Sequence, residues 1–336
     1  MKSGARSSVA SDDTWPWAGP TNVGAGTREL AGAVHRAVAM GRFRPVRRVR
    51  SCALSEVFIA LFDRDDDGVA EVAMVKRIRP ELHHVPEARR LFAHEAMLLG
   101  AFDHRGIVRA LDSGHASTHG YFATEMLHGR SLPELVRRAE EYGLRMPLRH
   151  AISLVASMAE ALDHAHGRIT ADRTPLQVVH ADVAPGNVTV TYDGSVKLVD
   201  FGCAQSRLCP VERRGMPRAG ALAYMSPEQC RGEGLDRRSD VYALGVVLWE
   251  LATWSRLYRR LAPEQVIARI AIGAVPLPSQ VRADIPSELE DVLMVALQPA
   301  PQRRFSSAGE FAAALRRLGG AEDPRGLDSW VRRVFH

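Results

Sequence analysis

Val178–Val190 reads V-V-H-A-D-V-A-P-G-N-V-T-V, and beyond the polar stretch Thr191–Ser195 the chain continues as V-K-L-V-D-F-G, Val196–Gly202. Short β-branched runs of this kind read as strands, at Gln177–His180, Val188–Thr191 and Val196–Val199. Each run ends beside a polar residue, so the pattern predicts that Asp182, Asn187 and Asp200 converge at the strand ends. One carboxylate and an amide oxygen are hard ligands that suit Mg²⁺, and the other carboxylate is left to act as a base. Upstream, Lys76 closes the apolar run Val69–Val75, and Glu95 lies in L-F-A-H-E-A-M-L-L-G-A-F, Leu91–Phe102. Helical spacing puts Glu95 on the side of Leu91 and Leu99, where a carboxylate requires a cation. A strand lysine paired to a helical glutamate would present its ammonium to a polyanion. Lysine is otherwise almost absent: of 44 basic residues only Lys2, Lys76 and Lys197 are lysines.

Working outward, the strand patterns concentrate before Ser131 and the helical ones after it. Phe43–Ile78 is β-rich, with V-F-I-A-L-F and V-A-E-V-A-M-V on either side of D-R-D-D-D-G, a hairpin pattern. Pro86–Phe102 reads as a helix and Gly120–Leu127 as a further strand, whereas long helices are expected at Pro147–His166 and Val241–Thr253. A flexible arm is expected over residues 1–25, rich in Ser, Gly, Pro and Asp, followed by a short helix at Thr27–Met40. Gly319–His336 ends the chain in an amphipathic segment, L-D-S-W-V-R-R-V-F.

The whole chain has 336 residues, 46% hydrophobic and 25% charged, values that exclude wholesale disorder, collagen and coiled coil. No apolar run is long enough to span a membrane, and M-K-S-G-A-R-S-S-V-A-S-D-D has no apolar signal core, so a cytoplasmic protein without membrane contact is expected. The net charge of +5 is dispersed, which argues against a nucleic-acid partner. Cys52, Cys203, Cys209 and Cys230 show no ligand spacing for zinc and are expected reduced.

In order and spacing these residues resemble the eukaryotic-like Ser/Thr protein kinases of bacteria, over about residues 43–317. Lys76 matches the strand lysine, Glu95 the glutamate of helix C, Asp182 and Asn187 the catalytic loop, and Asp200-Phe201-Gly202 the metal-binding D-F-G. Ser226-Pro227-Glu228 resembles A-P-E, Arg304 its arginine partner, and Asp240 with Gly245 the D-x-Y/W-x-x-G helix. The resemblance implies an α+β, two-lobed protein-kinase fold: a partly disordered extension over 1–42, an N-lobe over 43–127, a C-lobe over 128–317 and a tail over 318–336. It implies ATP and Mg²⁺ as cofactors, with Lys76 on the α/β-phosphates, Asn187 and Asp200 on the metal, and Asp182 on the substrate hydroxyl. Thr124 falls at the gatekeeper position, Glu125 to Leu127 at the hinge, and Val57 and Met74 beside the adenine.

The chain departs from that family's pattern at several points. Arg50, Cys52 and Ser55 replace the three glycines of the phosphate-covering loop, and Met74 stands where a small residue faces adenine. Ala184 replaces the catalytic-loop lysine with no arginine at Gly186 to compensate, a loss of about 10² in rate by analogy with other transition-state donors. Gly220-Ala221 lacks the usual threonine. Ala181 replaces the arginine that reads a phosphorylated activation loop, and Cys203–Ala219 offers only Ser206 as an acceptor, among Arg207, Arg213, Arg214 and Arg218. The expectation is slow transfer of the ATP γ-phosphate to Ser/Thr of a protein substrate. The alternative is a pseudokinase that works as a binding module through a regulatory protein partner.

Overall fold

Alternation along the N-terminal strands creates two different sheet faces. In the computed structural model, which describes residues 39–63, 69–116, 119–209, 222–259, 261–319 and 324–335, these strands are β1 Arg44–Ser51, β2 Ser55–Asp63, β3 Ala70–Ile78, β4 Ala110–Ala116 and β5 His119–Glu125. They form one antiparallel sheet in the order β1-β2-β3-β5-β4. Phe58, Ala60 and Phe62 of β2, Ala73 and Val75 of β3, and Tyr121 and Ala123 of β5 share one face, which Met40 and Phe43 cover to complete a small core. The residues between them, Lys76, Ile78 and Phe122 among them, look the other way, toward helix α1 (Pro86–Ala101). Phe92 of α1 meets Phe122 at a ring separation of 5.2 Å and fixes the helix on that face.

Chain reversal after β5 leads through residues 126–128 into β6 Gly129–Ser131 and helices α2 Leu132–Glu141 and α3 Leu148–His166. Strands β7 Val188–Thr191 and β8 Val196–Leu198 join β6 in a second antiparallel sheet, order β6-β7-β8. Helices α4 Pro227–Arg231, α5 Arg237–Thr253, α6 Pro263–Ala271, α7 Pro278–Val281, α8 Ser287–Ala296, α9 Ala308–Gly319 and α10 Pro324–Phe335 follow. Every residue of α5 from Ser239 to Thr253 is buried, which places this helix at the centre of the lobe. Gly245 permits its closest approach: a Cβ there would stand 3.1 Å from Ala296 and Leu297. The two-lobed α+β architecture is thus the expected one.

Differences from expectation are local. Gln177–His180 is not a strand; a single bridge joins Val179 to Gln205. Left-handed backbone at Gln177 (φ 51°) and Ala181 (φ 59°) breaks the extended run at both ends, and the amides of His180 and Ala181 go to Asp240 instead of a neighbouring strand. Beyond residue 317, Pro324–Phe335 forms α10, with Leu327, Trp330, Val331 and Val334 buried in the main core against the C-lobe. The flexible arm, the Thr27–Val38 part of the expected helix, the turn at 64–68, and the activation-loop residues 210–221 with Arg213, Arg214, Arg218, Gly220 and Ala221 lie outside the described residues.

Candidate active site

β3 carries Lys76 into the space between the lobes, and α1 brings Glu95 opposite it. Lys76 Nζ donates to Glu95 Oε1 at 2.7 Å and Oε2 at 2.8 Å, and to Asp200 Oδ1 at 3.2 Å. Burial works against the lysine charge, but Asp200 and Glu95 outweigh it and hold the ammonium above its ordinary range. Burial also pushes the Glu95 carboxyl up to about 7, against the pull of Lys76. Two carboxylates around one ammonium leave a surplus of negative charge, a setting that favours a divalent cation.

Asp200 follows β8 with φ at 69°, and its Oδ1 also accepts the Gly202 amide at 3.1 Å. A Cβ on Gly202 would lie 2.9 Å from Asp200 Oδ1 and 3.0 Å from Glu95 Oε2, so a side chain there would displace one of the two carboxylates. Phe201 is fully buried, 4.8 Å from the Phe102 ring at the end of α1 and 4.6 Å from His180. This column of rings keeps Asp200 turned toward Lys76.

The catalytic loop is organised from beneath by Asp240 of α5. Its carboxylate accepts His180 N at 2.8 Å and Ala181 N at 2.9 Å, and pairs with His166 Nε2 at 2.7 Å. Burial opposes its charge, but these partners hold its carboxyl below the usual range. Asn187 Nδ2 donates to Asp182 O at 2.8 Å and Asp182 Oδ2 at 3.0 Å, so its carbonyl oxygen is turned away from Asp182. That is the orientation a metal ligand needs. No cluster of three or more His, Cys, Asp or Glu among the described residues could by itself hold an ion. The donor set, one carboxylate and one amide oxygen, instead fits a Mg²⁺ ion that completes its shell with phosphate oxygens and water.

Around this centre, Val57 stands opposite Lys76 in the β2–β3 register, and Met74 opposite Thr124 in the β3–β5 register. Glu125 ends β5; its Oε1 accepts Lys197 Nζ at 2.7 Å and Arg109 N at 2.9 Å. Leu127 closes a turn to Gly129 N at 3.1 Å. Ala184 packs in the main core at 9% exposure and brings no cation to the loop. Of the activation segment, Ser206 is buried, 2.7 Å from His94 Nε2 of α1. On the platform side, Arg304 grips Glu228 with its two terminal guanidinium nitrogens at 2.7 and 2.8 Å, and Ser239 Oγ donates to the same carboxylate.

Several participants have no role legible in the sequence. Lys197 carried a signal in the scarcity of lysine, and Gln229 in the Ser-x-x-Gln spacing of a capping box. His94 and His166 carried none, because their partners lie far away in the chain.

Residues 53–315 match the family described as protein kinase domain. The chain is 33% identical over 285 residues to the tyrosine-protein kinase MasK of Myxococcus xanthus, covering 85% of this chain and 44% of that protein. It is 31% identical over 293 residues to the serine/threonine-protein kinase PknA of Mycobacterium tuberculosis, covering 85% of this chain and 63% of PknA. It therefore spans less than two thirds of these relatives' length. The crystal structure of the M. tuberculosis PknI kinase domain superimposes with a TM-score of 0.60 at 26% identity, covering 85% of this chain and 99% of that one. With Lys76 on Glu95 and Asp200, and with residues 53–315 matching the family over most of its length, the chain belongs to the protein kinase family.

Proposed function

We propose that this protein transfers the γ-phosphate of ATP to serine or threonine hydroxyls of a protein substrate, slowly. The observation that carries the reading is the contact of Lys76 with both Glu95 and Asp200, an arrangement a scaffold has no need to preserve. Mg²⁺, when bound by Asn187 and Asp200, supplies charge neutralisation along the phosphates. Lys76 fixes the α/β-phosphates, Asp182 orients the attacking hydroxyl, and Asn187 holds the Asp182 carboxylate in its rotamer. The slowness follows from Ala184, which leaves the transferring phosphoryl group without one cation, and from a phosphate-covering loop without glycine. The serine/threonine assignment follows PknA; the name of MasK favours a tyrosine hydroxyl as the second reading, so a substrate panel should contain all three.

Nucleotide binding is tested by thermal unfolding with ATP, with and without Mg²⁺, for the wild type and Lys76→Met. Ligand at 100 times its Kd stabilises by about 2.7 kcal/mol, a shift of several degrees at roughly 2–4 °C per kcal/mol. A Mg²⁺-dependent shift lost in Lys76→Met is expected. Absence of any shift at millimolar ATP would show the pocket closed by Met74 and the altered loop, and would overturn the reading in favour of a binding module.

A further inference from the structure

The peptide that precedes Asp182 is held from two sides. Ala181 has φ 59°, a left-handed conformation that a residue with a Cβ adopts only when its surroundings impose it. Its N–H donates to Asp240 Oδ1 at 2.9 Å, and its carbonyl accepts Gln229 Nε2 at 2.9 Å. The first partner belongs to the central helix α5. The second comes from α4, the short helix that opens the platform carrying Glu228.

Both ends of the Gln229 amide are engaged, with different elements. Its Oε1 accepts Ser226 N at 2.9 Å, and Ser226 Oγ accepts Gln229 N at 3.4 Å, the reciprocal pair of a capping box. The oxygen therefore closes the N-terminus of α4, while the nitrogen reaches across to the catalytic loop. Because α4 is itself locked to the lobe by the buried Glu228–Arg304 pair, Gln229 is a rigid strut and not a floppy surface amide. Where the family pattern places an arginine at 181 to link the catalytic loop to the activation segment, this chain has a methyl group; the link runs from the opposite direction.

We propose that Gln229 is a positioning residue: by donating to the Ala181 carbonyl it sets the backbone that presents Asp182, coupling the substrate platform to the catalytic loop without a phosphorylated residue. This rests on the phosphotransfer reading above. The two duties of the amide can be separated by substitution. Gln229→Glu keeps an acceptor for Ser226 N but has no N–H for Ala181 and sets a carboxylate oxygen against its carbonyl.

The test combines steady-state kinetics with hydrogen exchange on the full chain. Gln229→Glu is expected to lower kcat at least 10-fold while KM for Mg-ATP stays within about 2-fold, with a melting temperature near that of the wild type. Backbone amides at 181–183 are expected to exchange faster, and those of α4 unchanged. A wild-type kcat together with unchanged exchange at 181–183 would overturn the proposal and leave Gln229 a helix cap. If the wild type itself shows no Asp182-dependent transfer, the functional reading fails, and the exchange arm alone decides whether Gln229 holds the loop. Should Gln229→Glu not fold, Gln229→Met removes the donor at similar volume; because it also removes the acceptor for Ser226 N, α4 is expected to exchange faster too, and only the exchange at 181–183 and kcat are read, unchanged values of both overturning the proposal.

Discussion

Arg304 has no exposed side-chain surface, and its charge is balanced by Glu228 alone among carboxylates within ion-pair distance in the described residues. Replacing a buried pair by apolar groups can be neutral, but removing one partner strands the other. Glu228→Gln is therefore expected to cost about 3–5 kcal/mol at pH 7. Burial raises the Glu228 pKa, but the hydrogen bonds and charge of Arg304, with Ser239, outweigh it and hold the value below the ordinary 4.5. A carboxyl with a depressed folded-state pKa contributes its full stability above the unfolded value and loses it as pH falls through the folded one. The gap in melting temperature between wild type and Glu228→Gln should thus stay constant down to about pH 4.5 and narrow below it; a gap that widens on acidification would contradict this assignment. At this scale the Lys76–Glu95 pair was legible, because a strand lysine and an inward-facing helical carboxylate form a pattern that the sequence itself displays. Pairs whose geometry only the fold creates were not legible: Gln229 and Ala181 are 48 positions apart, Lys197 and Glu125 72, His94 and Ser206 112.

Between elements, the His94–Ser206 contact ties α1 directly to the activation segment. His94 lies next to Glu95, so the contact holds the helix at the position in which Glu95 reaches Lys76. Ser206 also accepts the Leu208 amide at 3.2 Å, and it is only 4% exposed, so in this conformation it is no accessible phosphate acceptor. His94→Ala leaves a buried hydroxyl without that partner and should cost about 1–3 kcal/mol in denaturant unfolding. A double-mutant cycle with Ser206→Ala should return a coupling of about 0.5–3 kcal/mol, and additive losses would show that the two side chains do not cooperate. The long helix α3 and the β2–β3 hairpin were readable from periodicity, because their faces are set by burial over many residues, whereas α5, buried on all sides, was readable from the length of its apolar run. Gln177–His180 was misread because the Val178-Val179 pair looks like a strand; only Val179 pairs with another backbone, at Gln205, and the amides of His180 and Ala181 go to a carboxylate on α5.

At the level of the molecule, the split into a strand-rich and a helix-rich lobe follows from the order of patterns along the chain. The docking of α10 does not, since its contacts are with much earlier segments. Arg332 Nε donates to the Tyr192 carbonyl at 3.2 Å, and the Arg130 guanidinium lies 5.3 Å from the Phe335 ring and 5.7 Å from that of Tyr192. With Trp330 2% exposed, Trp330→Ala should cost about 3–5 kcal/mol, visible as a lowered melting temperature; an unchanged melting temperature would mean the helix is not docked in solution.

The central claim is that a site holding Lys76, Glu95, Asp182, Asn187 and Asp200 in register performs transfer despite the missing glycines and the missing lysine at Ala184. The most direct measurement is phosphate incorporation from γ-labelled Mg-ATP into serine, threonine and tyrosine peptides by the wild type and Asp182→Asn. The account predicts slow, Mg²⁺-dependent incorporation by the wild type that falls by about 10² or more in the variant. Equal incorporation by both proteins, or none by either, would contradict it.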